Sequence, residues 1–248
     1  MIRIAFLLFF SVTALHSQSL KVLPGKIPTE YSEGYLVRAQ TLQQILLQTQ
    51  AFFEKRYPQY AFSVKLKVAD SVAWTQLGYR MPYGMPHYDG KAHIVLPADK
   101  KAMFPDTSDD AQISPYDAIS IHELGHYFMT ALVKTDIYPN WANEFIAAYF
   151  QVIFAKENGV SIQVPANNTP KHRSLEDFEK GFQVVADDYG WYQAQFTRLA
   201  ERLYAVHGTK VLDAFIANYQ PGGKNADALD VLRAIDNKIV NDWFTEMK

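Results

Sequence analysis

The chain has 248 residues, of which 48% are hydrophobic and 20% are charged, and this balance excludes a disordered or fibrous protein. Lys and Arg number 24 against 26 Asp and Glu, so the net charge of −2 gives no positive field for nucleic acid. The sequence contains no cysteine, which excludes disulfides, thiol nucleophiles and cysteine-bound metals.

Residues 1–17 have the pattern of a secretory signal peptide. Arg3 supplies the charged start, and a nearly unbroken apolar run follows over residues 4–15. A membrane-spanning helix needs about 20 apolar residues, so this run is too short, and no later stretch reaches that length. The sequence therefore predicts an exported protein, secreted or periplasmic, whose mature chain has no membrane span.

The first part of the mature chain is predicted to combine one long helix with a small sheet. Apolar residues recur at three- and four-residue steps from Leu36 until Pro58, which is typical of an amphipathic helix. Strict alternation over residues 62–68 predicts a half-buried strand. Residues 78–90, rich in Gly, Pro and Tyr, are expected to form an irregular loop that leads into an edge strand over residues 92–96.

The second part of the chain is predicted to be helical. Ser114, Pro115 and Asp117 form a helix start, so a helix should run from there to about Val133. Further helices are expected over 141–155, from 174, and over 189–206, 211–219 and 228–244. Because strands come first and helices follow, we expect one α+β domain over 18–248, with lobes at about 18–135 and 136–248.

The predicted helix from Ser114 carries the sequence His122-Glu123-Leu124-Gly125-His126. Histidines four residues apart lie on one face of a helix, where both can bind one tetrahedral cation. Glu123 projects beside them and can reach a water on that cation as a general base. Most other residues of the helix are apolar, and since buried unpaired imidazoles are costly, a bound metal is the better interpretation.

A catalytic zinc ion needs a third protein ligand and one open position. Glu144 follows His126 by 18 residues, on the next predicted helix, and is the best third ligand. A purely structural zinc site is the alternative. Two His and one Glu with a neighbouring Glu are, however, the composition of an open site.

The motif His122–His126, followed by Trp141, Asn143, Glu144, Ala147, Tyr149 and Phe150, resembles the gluzincin zinc peptidases, whose catalytic core is that of aminopeptidase N and thermolysin. The resemblance implies one Zn²⁺ bound by His122, His126 and Glu144, with Glu123 as the base. It also implies a zincin-like fold, in which a small N-terminal sheet with an edge strand and the active-site helix precede a mainly helical lobe. Its substrate would be a peptide or protein.

A weaker part of the resemblance concerns Tyr192, which matches the tyrosine that stabilises the oxyanion in aminopeptidase-like members, with Tyr189 as its competitor. The chain also departs from the family pattern. Phe145 replaces a glycine, and Ala148 replaces the acidic residue that orients a zinc histidine. No G-x-M-E-N segment lies upstream, so the resemblance favours an endopeptidase over an exopeptidase.

These features together predict a secreted zinc-dependent peptidase in which Glu123 and Tyr192 are catalytic. An extended substrate is expected to pair with the strand at 92–96. The alternative is a catalytically inert, peptidase-like binding module that retains or loses zinc, and this alternative is favoured if Phe145 or Ala148 impairs the site.

Overall fold

The computed structural model describes residues 19–60, 62–79, 82–99, 115–133, 139–162 and 169–247. The expected signal peptide, the helix start at Ser114 and most of the link between the expected lobes lie outside the described residues. Within these ranges, no helix combines the length and the apolar character that crossing a bilayer requires.

The protein has a small N-terminal sheet followed by a mainly helical remainder, which confirms the predicted α+β class. The strands are β1 (Lys21–Leu23), β2 (Thr29–Tyr31), β3 (Lys65–Ala69), β4 (His87–Tyr88) and β5 (His93–Pro97). The helices are α1 (Leu36–Arg56), α2 (Ser71–Gln76), α3 (Pro115–Val133), α4 (Asn140–Asn158), α5 (Leu175–Glu179), α6 (Phe182–Val185), α7 (Tyr189–His207), α8 (Lys210–Tyr219) and α9 (Ala228–Met247), with a 3₁₀ turn at Ala186–Asp188 before α7.

The sheet is mixed, and its strand order within the described residues is β1-β2-β3-β5-β4. Strands β2, β3 and β5 are parallel, while β1 and β4 pair antiparallel at the two sides. The prediction that residues 92–96 form the edge strand is therefore wrong. Strand β4 covers that side of β5, pairing His87 with Val95 and Tyr88 with Ile94.

A tight turn at Asp89 explains why the predicted loop contains a strand. The Asp89 carboxylate accepts hydrogen bonds from the backbone N–H groups of Lys91, Ala92 and His93 at 2.9, 2.9 and 3.0 Å. These bonds reverse the chain and bring β4 alongside β5. Gly90 adopts a φ of 75° in this turn, a conformation that glycine takes without strain.

Helix α3 lies at the centre of the molecule because it is apolar over most of its circumference. It packs against α1, β4 and β5 and also against α4, which in turn packs against α7. The Phe53 and Phe150 rings stack at 3.5 Å between α1 and α4, and Phe128 of α3 lies 4.9 Å from Phe150. Buried apolar residues from Ile27 to Met247 form one continuous cluster around this contact.

The helix expected to begin at residue 174 is only 5 residues long. Ser174 does cap its start, since the Ser174 hydroxyl accepts from the Asp177 N–H at 3.0 Å. The helix α5 ends at Glu179, and Gly181 with a φ of 101° separates it from α6. This broken segment leads directly into α7.

Candidate metal centre

His122 and His126 lie one helical turn apart on α3 and turn their imidazoles toward a common point. Their Nε2 atoms are 3.1 Å apart, and the ring planes are nearly perpendicular. His122 and Glu123 are almost completely buried. One ligand atom from each of His122, Glu123 and His126 lies within 4.8 Å of the others, so this group could hold a metal ion.

Glu144 of α4 completes the donor set. One of its carboxylate oxygens lies 3.2 Å from the His122 Nε2 atom, and the other lies 3.6 Å from the His126 Nε2 atom. Ligands about 2.1 Å from a tetrahedral ion are about 3.4 Å from one another. The separations of the two histidines and of each histidine from one Glu144 oxygen are close to this value, and the chemistry of the three groups suits zinc.

His126 and Glu144 each shift the pKa of the other. Burial alone would lower the pKa of His126, but the Glu144 carboxylate outweighs this effect and raises the pKa to about 9. Burial likewise opposes ionisation of Glu144, yet His126 and His122 hold the pKa of that carboxyl well below its usual range. Both pKa shifts favour a protonated His126 facing an ionised Glu144 in the metal-free site.

Side-chain amides support two of the three candidate ligands. The Asn143 Oδ1 atom lies 3.2 Å from the His126 Nδ1 atom. The Gln193 Nε2 group of α7 donates to the Glu144 carboxylate at 2.7 Å. Within the described part of the chain, the hydrogen-bond contacts of His122, with Glu144 and His126, both use its Nε2 atom.

The two tyrosines proposed for the oxyanion role point to different places. The hydroxyl of Tyr192 donates to the Ser174 carbonyl at 2.9 Å, and its ring is fully buried against Phe178. Tyr189, in contrast, is close to the carboxylates of the site: burial raises the pKa of its phenol, and the charges of Glu144 and Glu123 raise it further. The Tyr192 hydroxyl is thus bound to Ser174, whereas the Tyr189 phenol is near enough to Glu144 and Glu123 for their charges to raise its pKa.

Phe145 belongs to the helical core. Its ring is fully buried and lies 5.8 Å from the ring of Tyr149 and 5.9 Å from that of Phe215 on α8. It thus fills space between α4 and α8, away from the histidine pair.

The beginning of α4 is held in place by Glu179 of α5. The Glu179 carboxylate accepts hydrogen bonds from the N–H groups of Asn140 and Trp141 at 3.0 and 2.8 Å. The first N–H groups of a helix have no hydrogen-bond acceptor within the helix, and a negative charge is favourable at the helix N-terminus. The cap fixes the turn that carries Asn143 and Glu144.

Sequence reasoning missed the roles of Asn143 and Gln193, although both lie inside the motifs that it singled out. Gln193 follows Tyr189 by four residues, so the two share a face of α7, and this spacing is the signal that could have found Gln193.

Comparison of the chain with protein-family models, with curated proteins and with solved structures finds no match.

Proposed function

We propose that this protein is a zinc-dependent peptidase of the gluzincin kind, with His122, His126 and Glu144 as zinc ligands and Glu123 as the general base. The observation that carries the proposal is the spacing of the three donor groups, at 3.1, 3.2 and 3.6 Å. The buried Glu123 carboxylate beside them adds the base that a hydrolytic site needs.

A zinc ion at this point would supply a water of lowered pKa and would polarise the carbonyl of the scissile bond. Glu123 would take a proton from the attacking water and deliver it to the leaving amine. Its nearly complete burial keeps the carboxylate beside the donor set and limits competition from bulk water. Asn143 orients His126 through the Nδ1 atom, which leaves the Nε2 atom free for the ion.

Tyr189 is the better candidate for the donor to the developing oxyanion, in place of Tyr192. Its phenol remains protonated far above neutral pH, as a hydrogen-bond donor must. The rings of Phe178 and Phe182 lie 6.0 and 5.2 Å from the Tyr189 ring and restrict its position. A single donor of this kind contributes about 3 kcal/mol to the stabilisation of a transition state.

We expect an extended peptide substrate to pair with β4, because β4 replaces β5 at that side of the sheet. Strand β4 also contacts the helix of the candidate site: the rings of Tyr88 and Tyr127 are 5.7 Å apart, and Tyr127 follows His126. Backbone pairing of this kind holds a peptide without reading its sequence. The substrate class is accordingly peptides or unfolded protein segments.

The test compares purified wild-type protein with Glu123→Gln. We expect one equivalent of bound zinc in both, cleavage of casein by the wild type, and a loss of cleavage of 10²-fold or more in the variant. Glu123→Gln keeps the size of the side chain and removes its basicity. Removal of zinc by a chelator should abolish cleavage, and added Zn²⁺ should restore it.

The same experiment tests the second candidate, an inert, peptidase-like binding module. Bound zinc without any cleavage would support that module. Absence of bound metal in a folded wild-type protein would refute the peptidase and leave only a binding module that has lost zinc. The proposed export of the chain is tested separately: the secreted or periplasmic protein should lack about 17 N-terminal residues by mass spectrometry.

A further inference from the structure

We infer that Gln193 is a positioning residue of the metal centre: its amide holds the Glu144 carboxylate in the orientation that faces both histidines. The inference rests on the proposed function, since it assigns Glu144 to a metal ion. Gln193 lies on α7, 49 residues beyond Glu144, so no local constraint brings the two side chains together.

The geometry explains how one bond can fix the carboxylate. Gln193 donates to the same Glu144 oxygen, Oε2, that lies 3.2 Å from the His122 Nε2 atom. The other oxygen, Oε1, faces His126. With Oε2 held at 2.7 Å, the carboxylate cannot rotate about its terminal torsion without breaking a short, charge-assisted bond.

A neutral amide is the group that such a position requires. A lysine or arginine there would neutralise the ligand charge that attracts the ion, and a second carboxylate would repel Glu144. The amide offers a hydrogen bond and leaves the charge of Glu144 available. Because Tyr189 and Gln193 are four residues apart, one face of α7 supplies both the proposed oxyanion donor and the support of the third ligand.

The test uses the full mature chain with the substitution Gln193→Met, which keeps the length of the side chain and removes the donor. A second variant, Gln193→Leu, guards against a failure of the first to fold. The matched control is Thr197→Val, since the Thr197 hydroxyl donates to the backbone carbonyl of Gln193 at 2.9 Å on the same helix. Zn²⁺ affinity is measured by competition with a chromophoric chelator, and the Co²⁺ absorption spectrum reports the ligand geometry.

We expect the two Gln193 variants to bind Zn²⁺ about 10-fold or more weakly and to show an altered Co²⁺ spectrum. The control should keep the wild-type affinity and spectrum even if its thermal stability falls. A folded Gln193 variant with wild-type affinity and spectrum would overturn the inference and leave the proposed function intact. A wild type that binds neither ion would refute the proposed function and this inference together.

Discussion

Gly125 of α3 faces Ala147 of α4 so closely that a Cβ atom built on Gly125 would lie 3.1 Å from the Ala147 Cα atom and 3.2 Å from its carbonyl oxygen. The same Cβ atom would lie 3.2 Å from the Phe150 Cβ atom. Backbone atoms cannot yield as a flexible side chain can. The glycine between the two histidines therefore sets how closely Glu144 approaches them.

We predict that Gly125→Val lowers the free energy of unfolding by about 1–3 kcal/mol, because the added methyl groups force the two helices apart. Zinc affinity should fall as well, since Glu144 moves away from the histidines with α4. Thermal unfolding of the metal-free protein and chelator competition measure the two effects. Thr130→Val, at an exposed position on the same helix, is the control and should change stability by no more than about 0.5 kcal/mol.

The two tyrosines of α7 should respond differently to loss of their hydroxyl groups. Tyr189→Phe is expected to lower kcat by about 10²–10³-fold while zinc content stays unchanged, because the proposed oxyanion donor is lost. Tyr192→Phe removes only the bond to the Ser174 carbonyl and should cost about 1 kcal/mol of stability with little change in kcat. A loss of kcat in Tyr192→Phe, with little change in Tyr189→Phe, would instead support Tyr192 as the oxyanion donor.

Replacing the amide beside His126 with a carboxylate should strengthen the site. In Asn143→Asp, the hydrogen bond to the His126 Nδ1 atom becomes charge-assisted, which raises the basicity of the ligand. We expect Zn²⁺ affinity to rise about 10-fold in Asn143→Asp and to fall in Asn143→Leu, both by chelator competition. Equal Zn²⁺ affinities in the wild type and in the two Asn143 variants would show that Asn143 does not orient His126.

The pH dependence of the metal-free protein should reveal the ion pair between His126 and Glu144. The raised pKa of His126 contributes stability that is complete below 6.5 and is lost as the pH rises through about 9. The lowered pKa of Glu144 contributes stability that is present above 4.5 and is lost on further acidification. The difference in Tm between wild type and Glu144→Gln should thus be largest at about pH 5–6.5.

This difference should shrink between pH 7 and about 10, as His126 loses its proton. Differential scanning calorimetry in the presence of a chelator measures it without interference from bound metal. A difference that stays constant over the whole range would mean that the two groups do not form an ion pair in solution.

The parts of the site that depend on local spacing could be predicted from the sequence. His122, Glu123 and His126 share one turn of α3, and helix periodicity alone places their side chains together. Glu144 was predictable as a partner because a short connection brings consecutive helices into contact. These four residues meet in the structure as expected.

The parts that depend on packing between distant elements could not be predicted. Tyr189 and Tyr192 are three residues apart on α7, and only the way in which α7 rests on α4 and on residue Ser174 decides which of them faces the carboxylates. The bond from Gln193 to Glu144 has the same origin. Strand β4 has only two residues, which is too short for an alternation pattern, and it depends on the turn at Asp89.

The ion pair between His126 and Glu144 bears on how the proposed zinc ion would enter the site. A proton on His126 balances the Glu144 charge that a zinc ion would balance, so the candidate ligands can stay together without an ion. Small zinc domains, by contrast, fold only when they bind their metal. Binding of Zn²⁺ near neutral pH should accordingly release one proton from His126, which mixing with Zn²⁺ in the presence of a pH indicator would measure.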